Sequence, residues 1–435
     1  MGYRLRPEEI SQAHDEEKRR LIENVLIMQG GGSLGAFGCG VYKALVKKKI
    51  RIDIAAGTSI GAVNAAIIVG SKSGYPENDL EDFWKEIAES NHFIIPDSFT
   101  LDYDNNTKSY VTRKVSSASI NAAIFGVPKM FVPRWLRWNP YYNFNGEKGR
   151  DDNDNERSSS FPSYPFFDTR SWTYLYDHSP LAKTLDKYID YKKLNLAGKK
   201  EDLQQDLRLV ITAVDVLTAK PLIFDNTKME IKAKHILASS GYPIYGFPWI
   251  QVEEKNNDAS DVTYAWDGSL LSNTPIREVL NVSPRNDKNI FVVENYPRKV
   301  QRLPSNMAEV ESRAKDILFS DKNMETLKMS RLITRHIRLI ERLYNIFQME
   351  KVVDQSKIDP DEVKQINSEY KKLIENYGAQ ILSVTRIVRS EVESPTILQN
   401  ADFSPATVKE LISQGERKTL EELNYCESVN YDFNR

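Results

Sequence analysis

The 435-residue chain is poor in the residues that close disulfides, hold metals or cross membranes. Its two cysteines, Cys39 and Cys426, exclude a disulfide framework and fit a reducing compartment. The five histidines, at 14, 92, 178, 235 and 336, are scattered, and no Cys/His cluster has zinc-site spacing. The acidic run GRDDNDNER (149–157) lacks the pattern and flanking helices of a calcium loop. No metal or other cofactor is therefore expected. A net charge of −2 gives no reason to invoke nucleic acid. No apolar run reaches bilayer length, the longest being the segment that starts at Ile60. The leader MGYRLRPEEISQAHDEEKRR is too charged for the apolar core of a Sec signal. These absences point to a cytoplasmic protein with peripheral membrane contact at most, or to secretion without a cleavable signal.

What the chain does contain is a strand, glycine turn and helix, twice in succession. In the first unit Val25 to Met28 read as strand, Gly30, Gly31 and Gly32 as turn, and Leu34 to Lys48 as helix. Such glycines let successive amides face an anion, and a helix N-terminus adds about half a positive charge. A nucleotide phosphate is one candidate anion. However, no GK[ST] follows, GGGSLG is a loose GxGxxG, and the acidic partner would have to be Asp53, at the start of the next strand. Close helix–strand packing is a second use for the same glycines. In the second unit a strand over 52–56 turns at Gly57-Thr58-Ser59-Ile60-Gly61 into a small-residue helix over 60–69. GxSxG is the pattern of a nucleophile elbow, with the Ile60 amide beside the attacked carbonyl. Alone it arises by chance about once in seven chains of this length. A proton acceptor for Ser59 is needed. The histidines lack the context of a catalytic loop, whereas VTYAWDGSLLSNTP (262–275) ends an alternating strand at Asp267-Gly268. Asp-Gly is equally a hairpin turn signal.

Together the three pieces resemble the patatin-like phospholipases. Gly30, Gly31, Gly32 and Gly35 match that family's oxyanion loop, Gly57, Ser59 and Gly61 its elbow, and Asp267 and Gly268 its dyad motif. Segments 207–226 and 236–248 extend the resemblance over residues 22 to about 300, and the long C-terminal extension is similar to that of a bacterial subgroup. The resemblance implies an α/β fold: a three-layer α/β/α sandwich with a central, mostly parallel sheet and a helical extension. It implies a lipid acyl hydrolase of phospholipase A or lysophospholipase type, with Ser59 as nucleophile, Asp267 as base, and the amides of Gly30, Gly31, Gly32 and Ile60 as oxyanion hole. Two departures stand out: Leu34 where many relatives carry a basic residue, and Ser269 where many have Gly or Ala. An acyltransferase would use the same dyad. A non-catalytic membrane- or protein-binding module would not need Ser59 and Asp267 intact.

The chain divides into a charged leader (1–21), a catalytic domain (22–300) with an insertion over about 96–171, and a mainly helical extension (301–435). The insertion holds IFGVPKMFVPRWLRWNPYYNF (124–144), whose Trp135 and Trp138 suit either a lid or a membrane interface. In the extension, 327–347 reads as a helix with Met329, Leu332, Ile333, Ile337, Leu339, Ile340, Leu343, Tyr344 and Phe347 on one face. Beside them runs a basic stripe of Lys328, Arg331, Arg335, Arg338 and Arg342. The expectation is core packing under a solvated stripe, with membrane contact through Arg331, Arg335 and Arg338 as the alternative. A second helix over 360–377 can pair with it, and QILSVTRIVR (380–389) alternates like a strand that returns to the main sheet.

Overall fold

The computed structural model describes residues 21–91, 95–104, 109–115, 117–134, 172–196, 207–253, 262–284, 286–300, 303–304, 307–320, 323–348, 358–390 and 399–433. Its strands are β1 (Ile22–Met28), β2 (Ile54–Thr58), β3 (Ser98–Asp104), β4 (Ser109–Val115), β5 (Val132–Pro133), β6 (Tyr176–Asp177), β7 (Arg208–Asp215), β8 (Pro221–Asp225), β9 (Ile250–Glu253), β10 (Val262–Asp267), β11 (Asp287–Glu294) and β12 (Ile381–Val388). The helices are α1 (Ala36–Lys47), α2 (Ile60–Val69), α3 (Pro76–Ser90), α4 (Ala118–Phe125), α5 (Ser179–Tyr188), α6 (Tyr191–Leu196), α7 (Ala233–Ser240), α8 (Ile276–Val282), α9 (Met307–Phe319), α10 (Asn323–Phe347), α11 (Pro360–Tyr377) and α12 (Pro405–Phe433).

The central sheet places β12, β11, β1, β2 and β7 side by side, all parallel. Antiparallel β8 and β10 both pair with β7, and β9 pairs with β10. Parallel strands covered on both faces read as unbroken apolar runs, and VLIM of β1 is one. Val25 and Ile27 point to a layer with Ile54, Ala56, Val210 and the α8 residues Ile276 and Val279. Leu26 and Met28 point the other way, toward α1, α2 and α3. Each such fully buried side chain contributes about 1.5–3 kcal/mol. This is the expected three-layer α/β sandwich with a mostly parallel sheet. The order in which strands are added reverses at β1, whose neighbours are β2 and β11, and ligands of such sheets sit beyond the carboxyl ends of the strands at that point.

The segment after residue 300 is built into this body. β12 pairs along β11 from Lys288 to Glu294, and Arg386 grips Glu294 through two hydrogen bonds of 2.7 and 2.5 Å. α12 crosses α1 at a pair of glycines. A Cβ on Gly40 would lie 1.9 Å from the Ile412 carbonyl oxygen, and one on Gly415 would lie 2.2 Å from that of Phe37. Gly40→Val is therefore expected to force the helices apart at a cost of about 1–3 kcal/mol or more, read as a lower Tm in a thermal melt. An unchanged Tm would mean that α12 does not pack at this crossing.

α10 departs from the expected core packing. Thr334 and Ile337 are buried, but Met329, Leu332, Ile333, Leu339, Ile340 and Leu343 are exposed. The reason lies at the sheet edge. β12 offers a narrow seat in which the Ile381 amide donates to Thr334 Oγ1 (3.4 Å) and Arg338 Nε donates to Gln380 Oε1 (2.5 Å). The helix docks by that polar edge rather than by its apolar face. α11 pairs with it as expected, Tyr370 stacking on Tyr344 at 3.6 Å between ring centroids.

Candidate active site

β2 ends at Thr58 and α2 begins at Ile60, so the chain turns on Ser59 alone. Its φ of 57° and ψ of −128° are costly for a residue with a Cβ, about 1–3 kcal/mol. Neighbouring groups hold it there. The Ser59 amide donates to Ser239 Oγ (3.0 Å), which in turn donates to the Thr212 carbonyl (2.7 Å). The flanking glycines are sterically required: a Cβ on Gly57 would sit 2.2 Å from the Gly61 carbonyl carbon, and one on Gly61 2.1 Å from the Met28 carbonyl oxygen.

Strand pairing brings Asp267 to the same point. β2 pairs with β7 through Thr58 opposite Thr212, and β10 runs the other way with Asp267 opposite Ala213. Because β8 spans residues 210–214 of β7 and so takes its other edge, β2 and β10 share one edge and meet end to end. Ser59 follows the end of β2, and Asp267 closes β10. The seam is tied by Thr58 Oγ1, 2.6 Å from Thr212 Oγ1, and Gly268 lies against Thr212, where a Cβ would be 2.7 Å from the carbonyl oxygen. Asp267 is fully buried. Its Oδ1 accepts the Ser269 amide (2.8 Å), and its Oδ2 has no hydrogen bond among the described residues. Burial pushes its pKa up to about 6, against the opposing pull of the Ser269 amide and of the Ser59 and Ser269 hydroxyls. A carboxyl of raised pKa can accept a proton near neutral pH, and Asp267 and Ser59 line the same cavity.

The glycine loop closes a third side. The amides of Gly31, Gly32 and Ile60 make no hydrogen bond among the described residues, as befits first-turn donors, and all three residues line the cavity with Ser59 and Asp267. Gly30 differs from expectation. Its amide donates to the Asn273 carbonyl (3.3 Å), so it is not available as an oxyanion donor. Gly30 instead leaves room: a Cβ there would be 3.0 Å from Ser59 Cβ and 2.5 Å from Asn273 Oδ1. Gly35 gives space in the same way to Ile60, and Leu34 is buried. The loop is clamped from residues that sequence reasoning missed. Asn295 Nδ2 donates to the carbonyls of Gln29 (2.9 Å) and Gly30 (3.2 Å), and Gln29 Oε1 accepts the Asn295 amide (2.7 Å).

The cavity measures about 200 Å³ and is mostly apolar, with Val63, Met130, Phe131 and Phe247 among its walls. Phe319, Asn400, Ala401 and Phe403 also line it, so the segment after residue 300 furnishes part of the site. Phe319 acts twice, since its carbonyl accepts Gln29 Nε2 (2.9 Å) and Asn273 Nδ2 (3.4 Å).

A family profile described as patatin-like phospholipase matches residues 26–280, more than half of the chain and spanning the elbow, the glycine loop and Asp267. The chain belongs to the patatin-like phospholipase family. Over 78 residues it is 41% identical to the triacylglycerol lipase SDP1L of Arabidopsis thaliana, covering 18% of this chain and 9% of that one. It is 30% identical, also over 78 residues, to the putative patatin-like phospholipase domain-containing protein M110.7 of Caenorhabditis elegans, covering 18% and 7%. It thus spans less than a tenth of the length of these curated relatives. The crystal structure of VipD from Legionella pneumophila aligns over 93% of this chain and 67% of its own, with 12% identity and a TM-score of 0.33.

In this patatin-like chain the nucleotide reading of the glycine loop fails on geometry. Asp53 precedes Ile54, which pairs with Val25, so it sits at the opposite end of the strands from Gly30, about 20 Å away at 3.3 Å per residue. It is also engaged, accepting the Asn24 amide at 2.8 Å. Among the histidines, His178 was not foreseen at the site, yet it lines the cavity. Its Nε2 donates to the Leu237 carbonyl (3.1 Å), burial holds the ring neutral by lowering its pKa, and Nδ1 has no partner among the described residues. His235 is buried elsewhere, its Nδ1 accepting the Lys232 amide at 2.9 Å. Trp135, Trp138 and the side chain of Arg331 lie outside the described residues. Among the described residues no group of acidic, histidine or cysteine side chains could hold a metal ion, and no helix is long and apolar enough to cross a membrane.

Proposed function

We propose that the chain is a lipid acyl hydrolase of phospholipase A or lysophospholipase type, acting through a Ser59–Asp267 dyad. The observation that carries this reading is the meeting of a strained elbow serine and a buried carboxyl of raised pKa on the wall of one apolar cavity. Ser59 Oγ attacks the ester carbonyl as its proton passes to Asp267 Oδ2. The amides of Gly31, Gly32 and Ile60 take the charge that develops on the carbonyl oxygen, where each such donor is worth about 10²- to 10³-fold in rate. The alcohol leaves with the proton from Asp267, giving an acyl-enzyme. Water activated by the same carboxylate then releases the fatty acid. The apolar walls, Phe319 and Phe403 included, hold the acyl chain, and the unpaired Oδ2 is the acceptor that both half-reactions need.

Labelling with a fluorophosphonate probe, followed by peptide mapping, tests the nucleophile directly. The adduct is expected on Ser59, together with release of fatty acid from phosphatidylcholine or lysophosphatidylcholine vesicles. An adduct on another serine, or none with the folded protein, would overturn the assignment.

A further inference from the structure

α10 turns its apolar side to solvent. At about 100° per residue, Met329, Leu332, Ile333, Leu339, Leu343 and Ile346 fall within about 140° of its circumference, and each is 45–58% exposed. The helix is held on other edges. Thr334 and Ile337 are buried, Thr334 accepting the Ile381 amide of β12, Gln380 bonds Arg338 and Glu341, and Tyr344 stacks on Tyr370 of α11. None of these contacts reaches the apolar arc, whose polar member between Met329 and Ile346 is His336. Lys328, Arg335 and Arg342 border the arc on one side, all exposed and without an ion pair among the described residues. α9 repeats the pattern, with Met307, Val310, Ile317 and Leu318 exposed by 44–70%, while the next residue, Phe319, forms the cavity wall.

We propose that the outward face of α10, with the outer residues of α9, docks on an anionic lipid bilayer. A broad apolar face bordered by cations is the arrangement of a helix lying in the membrane interface, its apolar side among the acyl chains and its cations at headgroup depth. Charge selects the occupant. A second copy laid antiparallel against this face would bring two basic borders together, whereas anionic headgroups complement them. The proposal extends the lipid-hydrolase reading and rests on it for purpose: Ile317 and Leu318 at the surface adjoin Phe319 at the cavity, so docking here places the site beside its substrate.

Binding is separated from turnover by using the full chain with Ser59→Ala, sedimented with vesicles of equal parts phosphatidylcholine and phosphatidylglycerol, and with phosphatidylcholine alone. Stronger binding to the anionic vesicles, weakening as salt is raised, is the expected result. Arg335→Gln with Arg342→Gln should lower that affinity about 30-fold and flatten the salt dependence. Leu332→Ser with Leu339→Ser and Leu343→Ser should reduce binding to both vesicle types, with circular dichroism unchanged because these positions are exposed. If the leucine variant misfolds, the arginine pair decides alone. No vesicle binding by the parent protein, undiminished binding in the arginine pair, or a dimer in solution that the leucine changes dissolve would each overturn the proposal. Undiminished ester hydrolysis in the Ser59→Ala protein with vesicle binding intact would sink the hydrolase reading and leave this one standing.

Discussion

Ser59→Ala is expected to abolish hydrolysis of both vesicle lipid and a soluble p-nitrophenyl ester, by about 10⁴-fold or more. It should leave the fold untouched. Alanine keeps the Cβ, so the backbone strain at φ 57° is the same, and the amide bond to Ser239 Oγ does not involve the lost hydroxyl. Tm should therefore move by no more than about 2 °C. In the proposed mechanism the Oγ is the atom that becomes acylated, so nothing nearby can substitute for it. Turnover of the short ester at more than a hundredth of the parent rate, measured on protein of unchanged Tm, would contradict the nucleophile assignment.

Asp267→Asn should lose several orders of magnitude in kcat, since the amide fills the same space but cannot accept the Ser59 proton. For the parent, kcat/KM for a soluble ester should rise with pH and level off above about 6, where the carboxyl ionises. Stability runs the other way. Burial raises the folded-state pKa above the ordinary carboxylate value of 3.8, so the folded chain holds this proton more tightly than the unfolded one. The ionised site then costs stability as pH rises through the interval from about 4 to 6, and nothing below it. A shift of this size corresponds to about 2–4 kcal/mol. The stability of the Asn variant relative to the parent should therefore grow by that amount between pH 4 and pH 7 in chemical denaturation. A difference that shrinks with pH would show that Asp267 is stabilised as a carboxylate and is not the poised base. His178→Gln provides the control, because this histidine lines the same cavity. It is expected to keep at least about a tenth of the rate, and a variant as inactive as Ser59→Ala would replace the dyad by a triad.

The three glycine-bearing motifs were legible because local chemistry fixes them. A strand that turns into a helix within one residue needs Gly57 and Gly61 whatever surrounds it, and an apolar run such as VLIM can be buried on both faces only in a covered parallel sheet. Through the family resemblance these motifs carry, the α/β sandwich and the candidates Ser59 and Asp267 followed. What they could not give was the use of each amide. Gly30 and Gly31 are equivalent in sequence, and it is the Asn273 carbonyl, more than two hundred residues away, that accepts the hydrogen bond of the Gly30 amide.

Helix periodicity likewise gave α11 to the residue and α10 apart from its first four residues, yet not which side of α10 faces the protein. An amphipathic pattern states that one face is apolar. Whether that face meets a core or a solvent boundary depends on the partner, here the polar edge presented by Gln380 and Ile381. The same holds for His178, Gln29, Asn295 and Phe319. Each is unremarkable in its own segment and reaches the site through long-range packing. The sequence by itself determined the elbow, the glycine loop and the carboxyl at a strand end, because backbone geometry and residue size act over a few positions. Only the tertiary structure decided that β2 and β10 meet end to end along β7, which amides stay free, and that the segment after residue 300 completes the cavity, because those depend on contacts between distant parts of the chain.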